Sequence, residues 1–267
     1  MTACDFTLSL FVRVDDAMLE VTKHPLALLH PSEAVTIGML YALRGGSFRA
    51  FDRWLRNELA GVFPHLPERT RLHRILRACE GYTTRFLAQP SFFGVLDSFG
   101  VELLHPRRLG RTPSQWARWG KSNGRWIAGA KLAVCINHHG QVVSWQLASA
   151  NVSDLHFLPL AHALSGQSIL LADQGFLLSR KPKKAAAHRR LERKQPDNVL
   201  ICTRGAWSAR RLIETVFALF TQVLCLKHLT QRQQAGVHTR VAFAIAAYNL
   251  CLNWTGKPCL KIAHLAL

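Results

Sequence analysis

Carboxylates are scarce in this chain. Sixteen Asp and Glu stand against 34 Lys and Arg, and the formal charge over 267 residues is +18. Such an excess of cations points to a polyanionic partner, most often nucleic acid. A membrane surface is the competing partner, but no basic amphipathic helix has an apolar face set apart from the core. Long apolar runs are also missing. The best candidate, VAFAIAAY from Val241 to Tyr248, falls far short of the roughly 18–20 residues that a membrane span needs. No basic stretch precedes the first apolar residues of MTACDFTLSLFVRVDDAMLE, so a signal peptide is not expected there. The seven cysteines are scattered and contain no CxxC pair. They read as reduced thiols that fill a core rather than as a disulfide framework. Thirteen histidines occur without HExxH and without a Cys/His cluster of zinc spacing, so no structural zinc site is expected. Repeats and flexible linkers are absent as well.

What is present is a chain able to bury a substantial core, with 49% hydrophobic residues and seven tryptophans. Residues 1–90 read as a helical region. PSEAVTIGMLYALRGG offers Ser32 as an N-cap and stops at Gly45 and Gly46. SFRAFDRWLRNELAG has Ser47 as its cap and Phe48, Phe51, Leu55 and Leu59 at helical spacing. PERTRLHRILRACEG buries Leu72, Ile75, Leu76 and Cys79. That leaves Arg69, Arg71, Arg74 and Arg77 outside the stripe, either as a solvated face or as a surface turned toward DNA.

Beyond residue 90 the texture changes. FFGVLDSFGVELL reads as a strand. WIAGAKLAVCINHHGQVVSWQLASANVSD reads as two strands joined at His138-His139-Gly140. LHFLPLAHALSG reads as a helix capped by Ser153 or Asp154, and SILLAD and NVLICTR as two more strands. AWSARRLIETVFALFTQVLCL and Val237–Trp254 read as the last helices. Between Arg180 and Lys194 there are eight Lys and Arg and one acid, Glu192. The predicted fold is α/β: a mixed sheet flanked by helices over residues 91–267, preceded by the all-helical region 1–90.

With so few acids, each can be judged by its surroundings. Asp52, Glu58, Glu68 and Glu80 fall on amphipathic helices and read as surface residues. Asp97, Glu102, Asp154, Asp173 and Glu214 fall in apolar or strand-like contexts, where an unpartnered charge is costly. Asp97 interrupts an apolar strand, Asp173 ends one, and Asp154 suits a helix N-cap. Glu214 shares a helix face with Arg210 and Arg211 at the edge of the stripe formed by Ile213, Val216, Phe217, Phe220 and Leu224. On spacing alone, an ordinary helix ion pair is the better account of Glu214. As a set, two strand carboxylates and one helix carboxylate suit Mg²⁺, a hard cation bound by carboxylates and substrate phosphates.

Three blocks in order then resemble the DDE-type insertion-sequence transposases of bacteria, whose catalytic domain is RNase H-like. GVLDSFGVELLHPRR is similar to the first-strand block with Asp97, SILLADQGF to the second with Asp173, and WSARRLIETVFALFTQV to the helix block with Glu214. GAKLAVCINHHGQVVSWQLASANVSD and RVAFAIAAYNLCLNW are similar to the intervening strands and the last helix. A related signature around the final acid pairs Tyr, Arg, Glu and Lys; here those places hold Trp207, Arg210, Glu214 and Thr221, so the aromatic hydroxyl and one cation are replaced.

The resemblance implies an RNase H-like mixed sheet and a DNA transposase acting on inverted-repeat ends by metal-dependent cleavage and joining. Asp97, Asp173 and Glu214 would be both catalytic and metal-binding, with Mg²⁺ or Mn²⁺ and two ions expected. DNA contacts are expected from Trp207, Arg210, Arg211, Lys131, Arg180, Lys181, Lys183 and Lys184. The implied partners are element-end and target DNA and a second copy of the chain on DNA. The implied location is the cytoplasm, at the nucleoid. A nuclease or resolvase without strand transfer, or a decayed transposase that only binds ends, would fit the same residues.

Overall fold

The computed structural model describes residues 2–110, 116–122, 124–178, 195–202, 210–231 and 233–256. Four helices open the chain: α1 (Ala3–Asp16), α2 (Pro31–Arg44), α3 (Phe48–Glu58) and α4 (Arg69–Ala78). A 3-10 turn over Glu80–Phe86 leads out of them. Then come β1 (Phe93–Glu102), β2 (Arg118–Ser122), β3 (Arg125–Asn137) and β4 (Val142–Ser149), followed by the short α5 (Leu158–His162). β5 (Ile169–Ala172), β6 (Val199–Ile201), α6 (Arg210–Gln222) and α7 (Gln234–Thr255) complete the order.

Local chemistry explains most boundaries and corrects several expectations. α2 begins two residues earlier than Ser32 as a cap would require. Pro31 takes the first helical position, where its missing N–H costs nothing, and His30 is the cap. The Ser32 hydroxyl instead donates to Asp15 Oδ1 at 2.6 Å and pins α1 to α2. Ser47 caps α3 as expected, accepting from Ala50 N at 3.3 Å. Asp52 is not at the surface. It is 7% exposed, because Arg56 folds over it with both contacts at 3.2 Å and also donates to the Pro67 carbonyl. Glu80 is half-buried and receives His238 and Thr239. The helix expected after Asp154 is shorter than its apolar pattern suggests. Residues Asp154–Phe157 form a 3-10 turn before the single α turn of α5. The helix α7 spans three residues more than expected at its N-terminus and one more at its C-terminus.

The sheet is mixed. Its path runs β2-β3-β1-β5-β6, with β4 also on β3. β3 pairs antiparallel with β1, β2 and β4, whereas β1–β5 and β5–β6 are parallel. One face packs against α5 through Leu96, Ala133, Cys135, Phe157, Leu170 and Phe176. The other contributes Val95, Phe99, Val101, Leu132, Val134 and Leu171 to a core shared with α6, α7 and the N-terminal helices. α7 is the axis of that core. It is buried on nearly every side, from Val237 to Leu252, because α2 and the 3-10 turn cover one side and the sheet the other. A helix with apolar residues all round belongs in such an interior position. Among the described residues no helix is long and apolar enough to cross a membrane.

Asn249 is the polar fastening of α7. It is 1% exposed. Its amide donates to the Phe86 carbonyl at 2.9 Å and to the Val142 carbonyl at 2.7 Å, while its Oδ1 accepts from Val142 N at 2.8 Å. Replacing it with Leu leaves buried backbone groups unpaired, so Asn249→Leu should lower unfolding free energy by about 3 kcal/mol in urea titrations. A second outcome concerns pH. Burial pushes the Glu80 carboxyl up, but hydrogen bonds from His238 and Thr239 outweigh it and hold it below its ordinary value. The stabilisation from this depressed carboxyl is present above the unfolded value and is lost as pH falls through the folded one. Thermal melts should therefore show an acid-side loss of stability that is smaller in Glu80→Gln.

Candidate active site

Asp97 lies in the middle of β1, the central strand. The run VLDSFGV forms a strand because its apolar and aromatic residues pack on both sheet faces. Asp97 itself is half-buried, and its Oδ1 accepts from Ser98 N at 2.7 Å. Asp173 follows β5 directly. It caps the 3-10 turn Gln174–Phe176, accepting from Gln174 N at 2.5 Å, while Phe176 anchors the turn at 1% exposure.

The parallel register brings the two acids together. Leu96 pairs with Ala172, so Asp97 and Asp173 occupy the next step on neighbouring strands, about 4.8 Å apart in backbone spacing. Side chains alternate along a strand. Val95 and Leu171 both point into the core on the α6 side, so Asp97 and Asp173, two residues further on, share that face.

α6 covers the same face. Phe99, two residues after Asp97, meets Phe217 of α6 with ring centroids 5.2 Å apart. The helix runs along β1 in the same sense. Near its start, Leu212 and Val216 lie against Gly140 of the β3–β4 turn. Just past its end, the Lys227 carbonyl accepts from Glu102 N at 2.8 Å. Glu214 is exposed and lies about 60° around the helix from Phe217 and one turn before it. It is thus on the same side of the helix as Phe217, further from the buried stripe of Ile213, Val216 and Phe220. The register brings Asp97 and Asp173 side by side, and Glu214 lies exposed on the helix that covers their face. Among the described residues no three His, Cys, Asp or Glu side chains are gathered closely enough to hold a metal ion.

The other expected contacts divide. Arg211 is exposed on α6, whereas only the backbone of Arg210 is described. Trp207, Arg180, Lys181, Lys183 and Lys184 lie outside the described residues. Thr221 is exposed and its hydroxyl donates to the Phe217 carbonyl at 2.9 Å. Lys131 does not face solvent. It is 8% exposed, and its ammonium donates to Asp154 Oδ1 and the Val152 carbonyl, each at 3.1 Å. The expected DNA contact at Lys131 is replaced by an internal ion pair.

Asp154 is the residue whose role the sequence did not disclose. It does not cap a helix. Its Oδ1 also accepts from the Ser98 hydroxyl at 2.6 Å, and a Cβ at Gly175 would lie 2.7 Å from its Oδ2. It therefore touches the residue after Asp97 and the turn after Asp173 from the opposite sheet face, and a side chain at position 175 would push its carboxylate aside. The available signal was its place among the acids in apolar surroundings, but its partner Lys131 is 23 residues away in sequence.

A curled mixed sheet with helices on both faces, carrying two adjacent strand carboxylates under a helix, is the arrangement of RNase H-like phosphoryl-transfer domains. The family model described as the transposase DDE domain matches residues 91–250, well over half the chain. The chain belongs to that family. No curated protein matches it.

The Lys131–Asp154 pair is largely buried, so removing one member strands a charge. Lys131→Met should destabilise the fold by roughly 2–3 kcal/mol, read as a lower denaturant midpoint. The double variant Lys131→Met with Asp154→Leu should recover part of that loss.

Proposed function

We propose that this protein is the transposase of an insertion sequence, which binds terminal inverted repeats, cleaves at the element ends and joins the freed 3′-OH to target DNA. The observation that carries the reading is the β1–β5 register, which sets Asp97 beside Asp173 on the face covered by α6. Two neighbouring carboxylates fit Mg²⁺ or Mn²⁺, which takes one or two protein carboxylates and completes its shell with substrate phosphate oxygens and water. Asp97 and Asp173 would hold the cation, and Glu214 would join them once α6 and the bound DNA close on the site. Held between these carboxylates, divalent cations would supply charge to offset the attacking and leaving oxygens of a phosphodiester.

The chain's own groups position the DNA. In the first step water attacks the scissile phosphorus and the bond to the 3′ oxygen breaks, which leaves a 3′-OH and a 5′-phosphate. In the second step that 3′-OH attacks a target phosphodiester, forms a new P–O bond and displaces a target 3′-OH. Holding both DNAs in line supplies much of the rate. Arg210 and Arg211 would contact phosphate beside Glu214. The arginines of α4, Arg69, Arg71, Arg74 and Arg77, are all exposed and offer the N-terminal helices a phosphate-binding face. Lys131 has no part in this surface. Two copies of the chain would act on paired ends at the nucleoid.

Asp97→Ala and Asp173→Ala should each abolish Mg²⁺- or Mn²⁺-dependent strand cleavage of labelled repeat ends while end binding in EDTA stays within about twofold. Full cleavage by either variant would overturn the reading. Pairing the labelled ends with a plasmid target separates a transposase from a nuclease, because only the former yields joined products.

A further inference from the structure

The hairpin formed by β2 and the start of β3 has no role in the chemistry above, yet its composition is unusual. Its described residues read RWGKS and GRWI. Trp119 is 44% exposed and Trp126 is 67% exposed. Their rings lie 6.5 Å apart at 81°, edge to face. Arg118, Lys121 and Arg125 are exposed around them. No Asp or Glu occurs anywhere between Glu102 and Asp154. Large indoles left in water beside cations signal a partner.

The register places this pair relative to the acids. Trp119 is opposite Ala128, and Trp126 is opposite Lys121. Ala128, Trp126 and Val134 share one face by alternation, and Val134 is opposite Asp97. Both indoles and Lys121 are therefore on the face that carries Asp97. Trp126 is eight residues along β3 from Val134, roughly 26 Å at about 3.3 Å per residue, which equals about eight base pairs of duplex. The hairpin is firmly seated: any side chain at Gly120 would strike the Ala150 carbonyl.

We propose that the Trp119–Trp126 hairpin is a DNA-contact site for unstacked bases, lying on the same DNA path as Asp97 and Asp173. Charge selects the partner. A second copy of a +18 chain repels a cationic hairpin, whereas DNA is attracted to it. Aromatic rings among cations suit single-stranded or opened DNA, since bases within a closed duplex have their faces covered by neighbours. Lys121, with Arg118 and Arg125 on the reverse face, would neutralise phosphates while the indoles stack on bases. The inference rests on the DNA-processing reading only for the identity of the nucleic acid.

The test uses the full chain in EDTA, with fluorescence anisotropy of a blunt duplex and of the same duplex carrying an oligothymidine tail. Wild type should bind the tailed DNA roughly tenfold more tightly. Trp119→Ala with Trp126→Ala should erase that preference and leave blunt-duplex affinity unchanged, and Trp126→Phe should keep most of it. A double variant that retains the tail preference would overturn the proposal. So would one that weakens both DNAs equally, or one that changes only the oligomeric state. Cleavage is measured in parallel. A retained preference alongside Asp97-dependent cleavage sinks this inference alone. A lost preference in a protein whose cleavage ignores Asp97 sinks the transposase reading and leaves the hairpin assignment standing.

Discussion

The parallel pairing of β1 with β5 is the constraint on which the site depends. One step of slippage would turn Asp173 to the α5 side and leave Asp97 alone, since strand side chains alternate. Several features hold the register from both sides. Leu96, Ala172 and Leu170 pack with Phe157 and Phe176 on one face. Val95, Leu171 and Phe99 pack under α6 and α7 on the other. Apolar burial on two faces thus fixes the positions of two charges, and neither acid has to provide its own support.

The same division of labour recurs with Asp154. Its carboxylate faces away from α6, yet it meets Ser98 and the Gly175 turn, the residues adjoining each of the two acids. Lys131 supplies the compensating charge. In a chain with only sixteen acids, two fall side by side at the β1–β5 pairing and a third braces the neighbouring residues from the other face. On the proposed reading, Asp97 and Asp173 would be the local exception, in an otherwise cationic protein, at which a hard cation fits.

Much of this was legible in the sequence because burial leaves a pattern. Apolar runs marked β1, β3, β4 and β5, and the helical stripes marked α2, α3, α4 and α6. Asp97 and Asp173 stood out because a carboxylate in an apolar run demands a reason. Other features left no local trace. The strand β2 reads RWGKS, which has no apolar alternation, and it becomes a strand only by pairing with β3. Asp52 follows an amphipathic pattern that places it outside, but Arg56 folds over it and is itself held by the Pro67 carbonyl. Asp154 precedes an apolar segment as a cap would, and its true partners come from β1 and β3. Lys131 looked like one more cation in a basic protein until the fold surrounded it. Each of these depends on contacts distant in sequence, which periodicity does not encode.

The sandwiched position of α7 has a mechanical consequence. Its apolar surface is shared between the helical region and the sheet, so neither layer can swing away without exposing a continuous greasy rod to water. A pull on α4 is therefore passed to the β3–β4 turn through Tyr248 and Asn249 rather than absorbed by a hinge. Reorienting one layer against the other would expose that surface, so the two layers move as one body.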